Sequence, residues 1–333
     1  MKKGICVGGV MTVDFLYPVL KYPKCGELAG ITEDLSQTTG GAVCNVLGTI
    51  ARLCSDMPLY AIGRSGGDAN GDYIISELQK YGNIDTSTIV REGRATFTAV
   101  ITDQSTKERT LFTYPGASGN MVEEDVCWEK IPANIFHMAY VLMMPELDKE
   151  DEEYGTKMAR LLHHAQERGY LTSIDIVSEM SGRAKKLMPP TLKYADFCII
   201  NELETQETTG ILLREEDKTL HPENMEKALD VLKKMGVSKW VVIHCPEGTW
   251  GLDEKGEYTY VKSLKLPKGY IKGTVGAGDA FCGGVLCGAE KGMDLHDSLV
   301  LGTATAACAL GDESANAGVP TLEKTLEFYE KMR

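Results

Sequence analysis

Short apolar runs alternate along the chain with longer segments in which apolar residues recur every three to four positions. Strand-like runs fall at 5–10, 59–62, 135–142, 171–174, 197–200 and 239–244. Helical spacing covers 41–54, 68–81, 151–167, 180–187 and 224–235; in 68–81, Ile74, Ile75 and Leu78 recur near helical spacing. This order predicts βα units and a largely parallel central sheet covered by helices. Two regions break the rhythm. Residues 15–35 hold Pro18, Pro23, Gly26 and Gly30, and residues 95–115 read as two strands, 96–102 and 109–114, about a polar turn at 103–107. These pieces predict a small sheet beside the main body. A lid of that kind keeps water from a reactive transfer; a surface hairpin or an oligomer contact satisfies the same pattern. The charge runs at 150–153, read as helical, and at 215–218 are expected to be solvated surface.

Composition narrows the class. The 333 residues are 43% hydrophobic and 25% charged, which fits a folded α/β chain with ample core. Lys plus Arg number 35 against 48 Asp plus Glu, for a formal net charge of -13. That balance argues against nonspecific nucleic-acid or anionic-membrane binding, though not against a local positive pocket. The first apolar run is short and reaches Asp14 without a small-residue cleavage pattern, so it reads as a strand rather than a signal segment. The stretch 299–310 is too short to cross a bilayer. The ten cysteines are scattered, with Cys198, Cys282 and Cys308 in apolar strings. Neither they nor the six histidines show metal-binding spacing, so they read as reduced core thiols of a cytoplasmic protein.

The chemistry concentrates in Lys272 Gly273 Thr274 Val275 Gly276 Ala277 Gly278 Asp279 Ala280 Phe281 Cys282 Gly283 Gly284. Small residues at 276–278 permit a tight turn, and a helix follows. Free N–H groups at that helix start would share a cavity with the Asp279 carboxylate and hold an anion. Such a pairing suits phosphoryl transfer to an alcohol, with the amides on the transferred group and Asp279 accepting the hydroxyl proton. A plain Asp cap after a glycine turn fits the same residues. A helix start also favours the ionised carboxylate, which weakens Asp279 as a base. The segment is neither a Walker A loop nor a dinucleotide fingerprint, since the Gly-Lys-Ser/Thr ending and the early G-x-G-x-x-G are both missing.

Gly276 Ala277 Gly278 Asp279 Ala280 Phe281 with Gly283 Gly284 resembles the carboxy-terminal signature of the ribokinase-like carbohydrate kinases, the PfkB family. Further pieces follow in order over almost the whole chain: Gly8 Gly9 with Asp14, Gly40 Gly41 with Asn45, Gly63 with Asp68 and Gly71, and Asn201 with Glu204. The resemblance implies a three-layer α/β/α sandwich over residues 1–333, with a central mostly parallel sheet and a small β-sheet lid from about 15–35 and 95–115. It implies transfer of the terminal phosphate of ATP to an exocyclic hydroxyl of a small sugar. Asp279 is then the general base, and Gly276, Ala277 and Gly278 form the anion hole. Asp14, Gly41 and Asn45 contact substrate hydroxyls. Asn201 and Glu204 belong to the magnesium and phosphate network, Glu204 acting through water. Residues 245–251 resemble the nucleotide-side loop, with Gly248 near phosphate or ribose and Cys245 where the family often has Gly. Asn316 resembles part of a loop near the base and a monovalent-cation site, which makes potassium a candidate activator.

Each of these residues has a plainer use. Asp14 can cap a turn, Gly40 and Gly41 can admit a helix, and Asp68 reads as a helix cap. Asn45 inside a helix has poor propensity, which favours a functional use. Asn201 ends a predicted strand, where α/β sites form, and Glu202 and Glu204 lie beside it. Trp240 and Trp250 read as packing. Lys107 and Arg109 either meet a substrate phosphate or solvate the hairpin, and no clear basic cluster marks a phosphorylated sugar. A nucleoside kinase is the alternative on the same fold, with Tyr17, Phe97 and Phe112 stacking on a base or filling the small sheet's apolar face. A noncatalytic sugar-binding relative is the other class. The exposed edges of a small sheet make a homodimer through the lid an expected partner arrangement.

Overall fold

Strand residues alternate between two apolar faces, and this alternation gives the molecule its layers. The computed structural model describes residues 2–106, 108–179 and 181–333; Lys107 of the small-sheet turn and Met180 of the expected helix 180–187 lie outside the described residues. The main sheet runs in the order Tyr258–Lys262, Gly248–Leu252, Trp240–Cys245, Phe197–Asn201, Leu171–Ile176, Ile135–Val141, Ile5–Gly9, Leu59–Ile62 and Ile84–Asp85. Neighbours from Trp240–Cys245 to Ile84–Asp85 are parallel, and the two strands at the other edge are antiparallel. Ile5, Val7, Ile199 and Val242 face one core, which the helices Gly41–Leu53, Ala277–Glu290 and Leu295–Ala309 close with Leu47, Ile50, Val285 and Leu299. Cys6, Phe136, Ile200 and Ile243 face the other, closed by Lys157–Glu167, Ala184–Leu192 and Met225–Lys234 through Leu161, Met188 and Leu229. Each such aliphatic side chain contributes about 1.5–3 kcal/mol of burial. The result is the three-layer α/β/α sandwich with a mostly parallel sheet that the sequence predicts.

Glycines set how closely the site helix can be held. A Cβ on Gly283 would lie 3.0 Å from Thr49 Cγ2, and one on Gly284 would lie 2.8 Å from Gly302 Cα. Ala277–Glu290 is thereby wedged between Gly41–Leu53 and Leu295–Ala309.

The small sheet has four strands in the order Ser36–Gly40, Thr12–Val19, Thr96–Asp103 and Arg109–Tyr114, the middle two parallel. The segment expected at 95–115 matches the second pair. The first pair begins earlier and ends later than the expected 15–35, because Thr12 to Leu16 pair with Ser36 to Gly40, while 20–35 is mostly exposed connection with one bridge, Val19 to Ile31.

Other expectations need correction. The helix expected from 151 begins only at Lys157. The Asp151 carboxylate accepts from the N–H groups of Glu153 and Tyr154, turning 150–156 into a hairpin, and the Thr156 hydroxyl then caps the helix through Ala159 N–H. The helix expected at 180–187 is Ala184–Leu192, with Pro189 and Pro190 in its last turn, where missing N–H groups interrupt a ladder that is about to end. Residues 245–251 are the tight turn and returning strand of a hairpin rather than a loop. The ten cysteines carry no disulfide and seven are buried; Sγ of Cys54 and Sγ of Cys287 stand 3.3 Å apart. No helix of the described residues is long and apolar enough to cross a membrane.

Candidate active site

The site gathers at the carboxyl ends of the parallel strands. Gly276 adopts φ +75°, and a Cβ there would lie 2.4 Å from the Ala315 Cβ, so the turn requires glycine. The helix Ala277–Glu290 starts immediately after. Ala280 N–H bonds the Gly276 carbonyl at 2.8 Å and Ala277 N–H makes a long 3.4 Å bond to Thr274, but the N–H groups of Gly276, Gly278 and Asp279 have no partner among the described residues. These orphan donors stand at the positive end of a 14-residue helix, an arrangement that can take an anion.

Asp279 does not cap this helix; no side chain caps it. Its carboxylate is buried, 7% exposed, and accepts from the Tyr140 hydroxyl at 2.7 Å on Oδ1 and from Asn45 Nδ2 at 2.8 Å on Oδ2. Burial pushes its pKa up, and these two hydrogen bonds oppose that rise. Burial thus acts against the lowering expected of a carboxylate at a helix start.

Gly41, at φ +80°, opens the helix Gly41–Leu53 so close to Val10 that a Cβ would lie 2.5 Å from its carbonyl oxygen. This approach aims Asn45, one turn on and buried, at the Asp279 carboxylate. Asp14 reaches the same region from the small sheet. Its Oδ1 is buried without a hydrogen-bond partner among the described residues, and its Oδ2 occupies the space a side chain on Gly40 would need, 2.3 Å from the Cβ position. Burial raises Asp14 to about 6, against the hydroxyls of Thr98 and Thr12 and the charge of Arg109. A buried acceptor with no donor is a place for a ligand hydroxyl.

Asn201 and Glu204 form a reciprocal cap on Glu202–Thr209. The Asn201 side chain accepts from Glu204 N–H, and Glu204 Oε2 accepts from Asn201 N–H, both at 2.9 Å. Glu204 Oε1 accepts from the Ser178 hydroxyl at 2.7 Å. Burial lifts Glu204 to about 7. Asp175, near the end of Leu171–Ile176, is likewise driven well up by burial, with the Glu204 and Asp279 charges adding to the rise. None of Asp14, Asp175, Glu204 and Asp279 has a Lys or Arg salt-bridge partner among the described residues. Uncompensated buried carboxylate oxygens of this kind suit a hard cation or its water shell. Glu202, the other acidic neighbour, turns away: Arg214 bonds it at 2.6 Å and Glu247 at 2.6 Å, tying the end of Phe197–Asn201 to the turn after Trp240–Cys245.

The two residues expected on the nucleotide side, Gly248 and Asn316, also make local contacts of their own. Gly248 pairs with Cys245 and Lys262 inside the hairpin, where a Cβ would meet Tyr260 Cε2 at 2.6 Å, so its missing side chain serves packing. The Asn316 carboxamide accepts from the Tyr81 hydroxyl at 3.2 Å and lies over Gly48, while its neighbour Ala315 packs on Gly276. Trp240 and Trp250 pack on Phe197 and Tyr260, Asp68 caps Ala69–Gln79, and Phe97 packs between Phe15 and Tyr114 within the small sheet. Asp294, His296 and Asp297 also lie close together, but they are exposed, and Asp294 caps the helix Leu295–Ala309. The sequence reading missed Tyr140 and Asp175. Both sit at the carboxyl ends of strands it did predict, the position that singled out Asn201.

Residues 1–322 match the family model for pfkB family carbohydrate kinases. The chain is 24% identical to a ribokinase of Staphylococcus aureus, over 97% of this chain and 99% of that one. It is also 24% identical to a nucleoside kinase of Methanocaldococcus jannaschii, over 100% and 98%. The structure is similar to that of Arabidopsis thaliana ribokinase complexed with ribose and ATP, with a TM-score of 0.79 and 19% identity over 99% of each chain.

Proposed function

The chain belongs to the pfkB family of carbohydrate kinases, and from that premise we propose that it transfers the terminal phosphate of ATP to an exocyclic hydroxyl of a small neutral sugar. The observation that carries this reading is the buried Asp279 carboxylate one residue from the unpartnered N–H groups of a helix start. Asp279 orients the acceptor hydroxyl and takes its proton, while the amides at 276–279 stabilise the equatorial oxygens of the moving phosphoryl group. The raised pKa of Asp279 makes it a better base than a surface carboxylate. Asp14, with its free Oδ1, accepts a second substrate hydroxyl beside Gly41 and Asn45. An acceptor pocket lined by Asp14 and Asp279 disfavours acidic or phosphorylated sugars and suits a neutral polyol.

Magnesium, when bound, neutralises the nucleotide phosphates. Glu204 would hold it through water, with Asn201 shaping that carboxylate and Asp175 beside it, a fit supported by their lack of cationic partners. Gly248 and Asn316 then line the nucleotide side through the hairpin and the 311–318 loop, whose backbone carbonyls are the proposed seat for potassium. The small sheet serves as lid, and its exposed apolar residues form a contact with a second copy. A nucleoside acceptor is the second reading, favoured by the equal identity to the archaeal nucleoside kinase.

An ADP-release screen over ribose, fructose, other hexoses, acidic sugars and nucleosides, with magnesium and with or without potassium, separates these readings. Turnover on neutral sugars is expected, and no turnover on any alcohol overturns the proposal. On the best acceptor, Asp279→Asn is expected to lower kcat about a hundredfold or more while nucleotide binding persists. An unchanged chemical step in a folded variant removes Asp279 from the role of base.

A further inference from the structure

We propose that Tyr140 is a positioning residue for Asp279: its hydroxyl, opposite the Asn45 amide, holds the carboxylate ionised and in one orientation, leaving the remaining lone pairs to the acceptor. The role rests on the kinase reading above, but the hydrogen bond itself can be tested without it. An ionised carboxylate has about four lone-pair sites, and here each oxygen gives one to a protein donor, Oδ1 to Tyr140 and Oδ2 to Asn45. The terminal torsion of an aspartate is otherwise broad and nearly two-fold, so a single donor would let the group swing. Two donors arriving from different elements do not.

The placement of Tyr140 suits this work. It is the penultimate residue of Ile135–Val141, at the point where the register against Leu171–Ile176 shifts between Met138 and Val141, and the preceding Ala139 pairs with Gly9 and is fully buried. The donor therefore follows directly on a paired, buried strand position. Asn45 comes from a helix in another layer, so the base is clamped between the central sheet and its covering helix.

The electrostatic surroundings explain why a clamp is needed. Asp14 from the small sheet, Asp175 from a strand end and Glu204 from the first turn of Glu202–Thr209 all feel the charge of Asp279, as do Cys44 in Gly41–Leu53 and Cys282 in its own helix. Every one of these groups is neutral or negative. The His244 ring beside Gly278 is held neutral by burial, with its pKa down at about 4, and Arg109 acts on Asp14. The Tyr140 and Asn45 hydrogen bonds are the influences that oppose the upward push of burial on Asp279. Tyr140 itself is no competing base: burial first, then the Asp279 charge, drives its pKa well above the ordinary value, so it remains a donor.

The test is Tyr140→Phe, which keeps the ring and removes only the hydroxyl. A hydrogen bond to a charged group predicts a fall in kcat of about tenfold to a hundredfold near neutral pH, with KM for ATP unchanged. Because the base must be ionised, losing a donor moves the acid limb of kcat/KM to higher pH, and raising the pH restores part of the rate. Tyr170→Phe is the control. Its hydroxyl serves the Ile131 carbonyl, remote from the site, and activity should be unaffected. Independently of turnover, a carbon-13 carboxyl titration of the full-length protein, assigned by subtracting Asp279→Asn, should show Asp279 ionising at higher pH in Tyr140→Phe. An unmoved Asp279 titration overturns the proposal, as does a kcat loss that is the same at every pH. If the wild-type chain phosphorylates nothing, the kinase reading falls, and the titration alone still decides whether Tyr140 holds the Asp279 carboxylate.

Discussion

Asp14 shows at single-residue scale how a binding site and a stable fold pull against each other. Its carboxyl ionises at about 6 in the folded chain against 3.8 as the reference value. The folded state thus holds the proton more tightly than the unfolded one. The associated stability is fully present below pH 3.8 and is lost as the pH rises through about 6, a loss of about 3 kcal/mol by neutral pH. Asp14→Asn is accordingly expected to raise the thermal midpoint of the ligand-free protein at pH 7.5, and much less at pH 4, in a fluorimetric melt. The same change should raise KM for the acceptor about tenfold or more, because a ligand hydroxyl loses its charged acceptor. A melt that rises equally at both pH values would mean that the gain has nothing to do with ionisation. Asp279 stood out beforehand through the glycine turn and helix start beside it and Asn45 through its poor helix propensity, while Asp14 was named through the family resemblance. Tyr140 carries no such mark, since a tyrosine at the end of an apolar strand looks like packing.

At the scale of elements, Asn201 and Glu204 form a helix cap and are proposed to serve magnesium, two purposes that one substitution can separate. Gln is as good as Glu in the reciprocal cap, since its amide oxygen can accept from Asn201 N–H. It also removes a buried carboxyl whose pKa burial has raised to about 7. Glu204→Gln should therefore leave the thermal midpoint unchanged or higher while raising the magnesium concentration needed for half-maximal rate. A lowered midpoint with unchanged magnesium demand would leave Glu204 as a cap alone. Parallel strands were legible because burial on both faces makes them continuous apolar runs. The edge hairpin Gly248–Leu252 and Tyr258–Lys262 was not, because glycine and exposed tyrosines dilute its pattern. The hairpin before Lys157 was hidden for another reason: a carboxylate bonded to its own following N–H groups leaves no mark in hydrophobic periodicity.

Across the whole molecule, the largely parallel sheet with its covering helices and the existence of a second sheet follow from the order of apolar runs, whereas the second sheet's true edges depend on pairing between distant strands. That second sheet leaves Leu111, Phe112 and Tyr114 exposed, and a second copy is the proposed cover. Sedimentation at micromolar concentration should show a dimer, and Phe112→Asp should shift it toward monomer with the melt unchanged; a monomer in the wild type at all concentrations would refute the contact.

The hydrogen bond between Asn45 and Asp279 joins positions 234 residues apart in the chain. At ribosomal speeds of about 5–20 residues per second, on the order of tens of seconds separate the synthesis of its two ends. Through that interval the Gly41–Leu53 helix waits without the Ala277–Glu290 helix that will cover it, its Leu47 and Ile50 open to wrong partners. The nascent polypeptide is thus inert and adhesive at once, and the moment that makes it competent is also the moment that makes it safe.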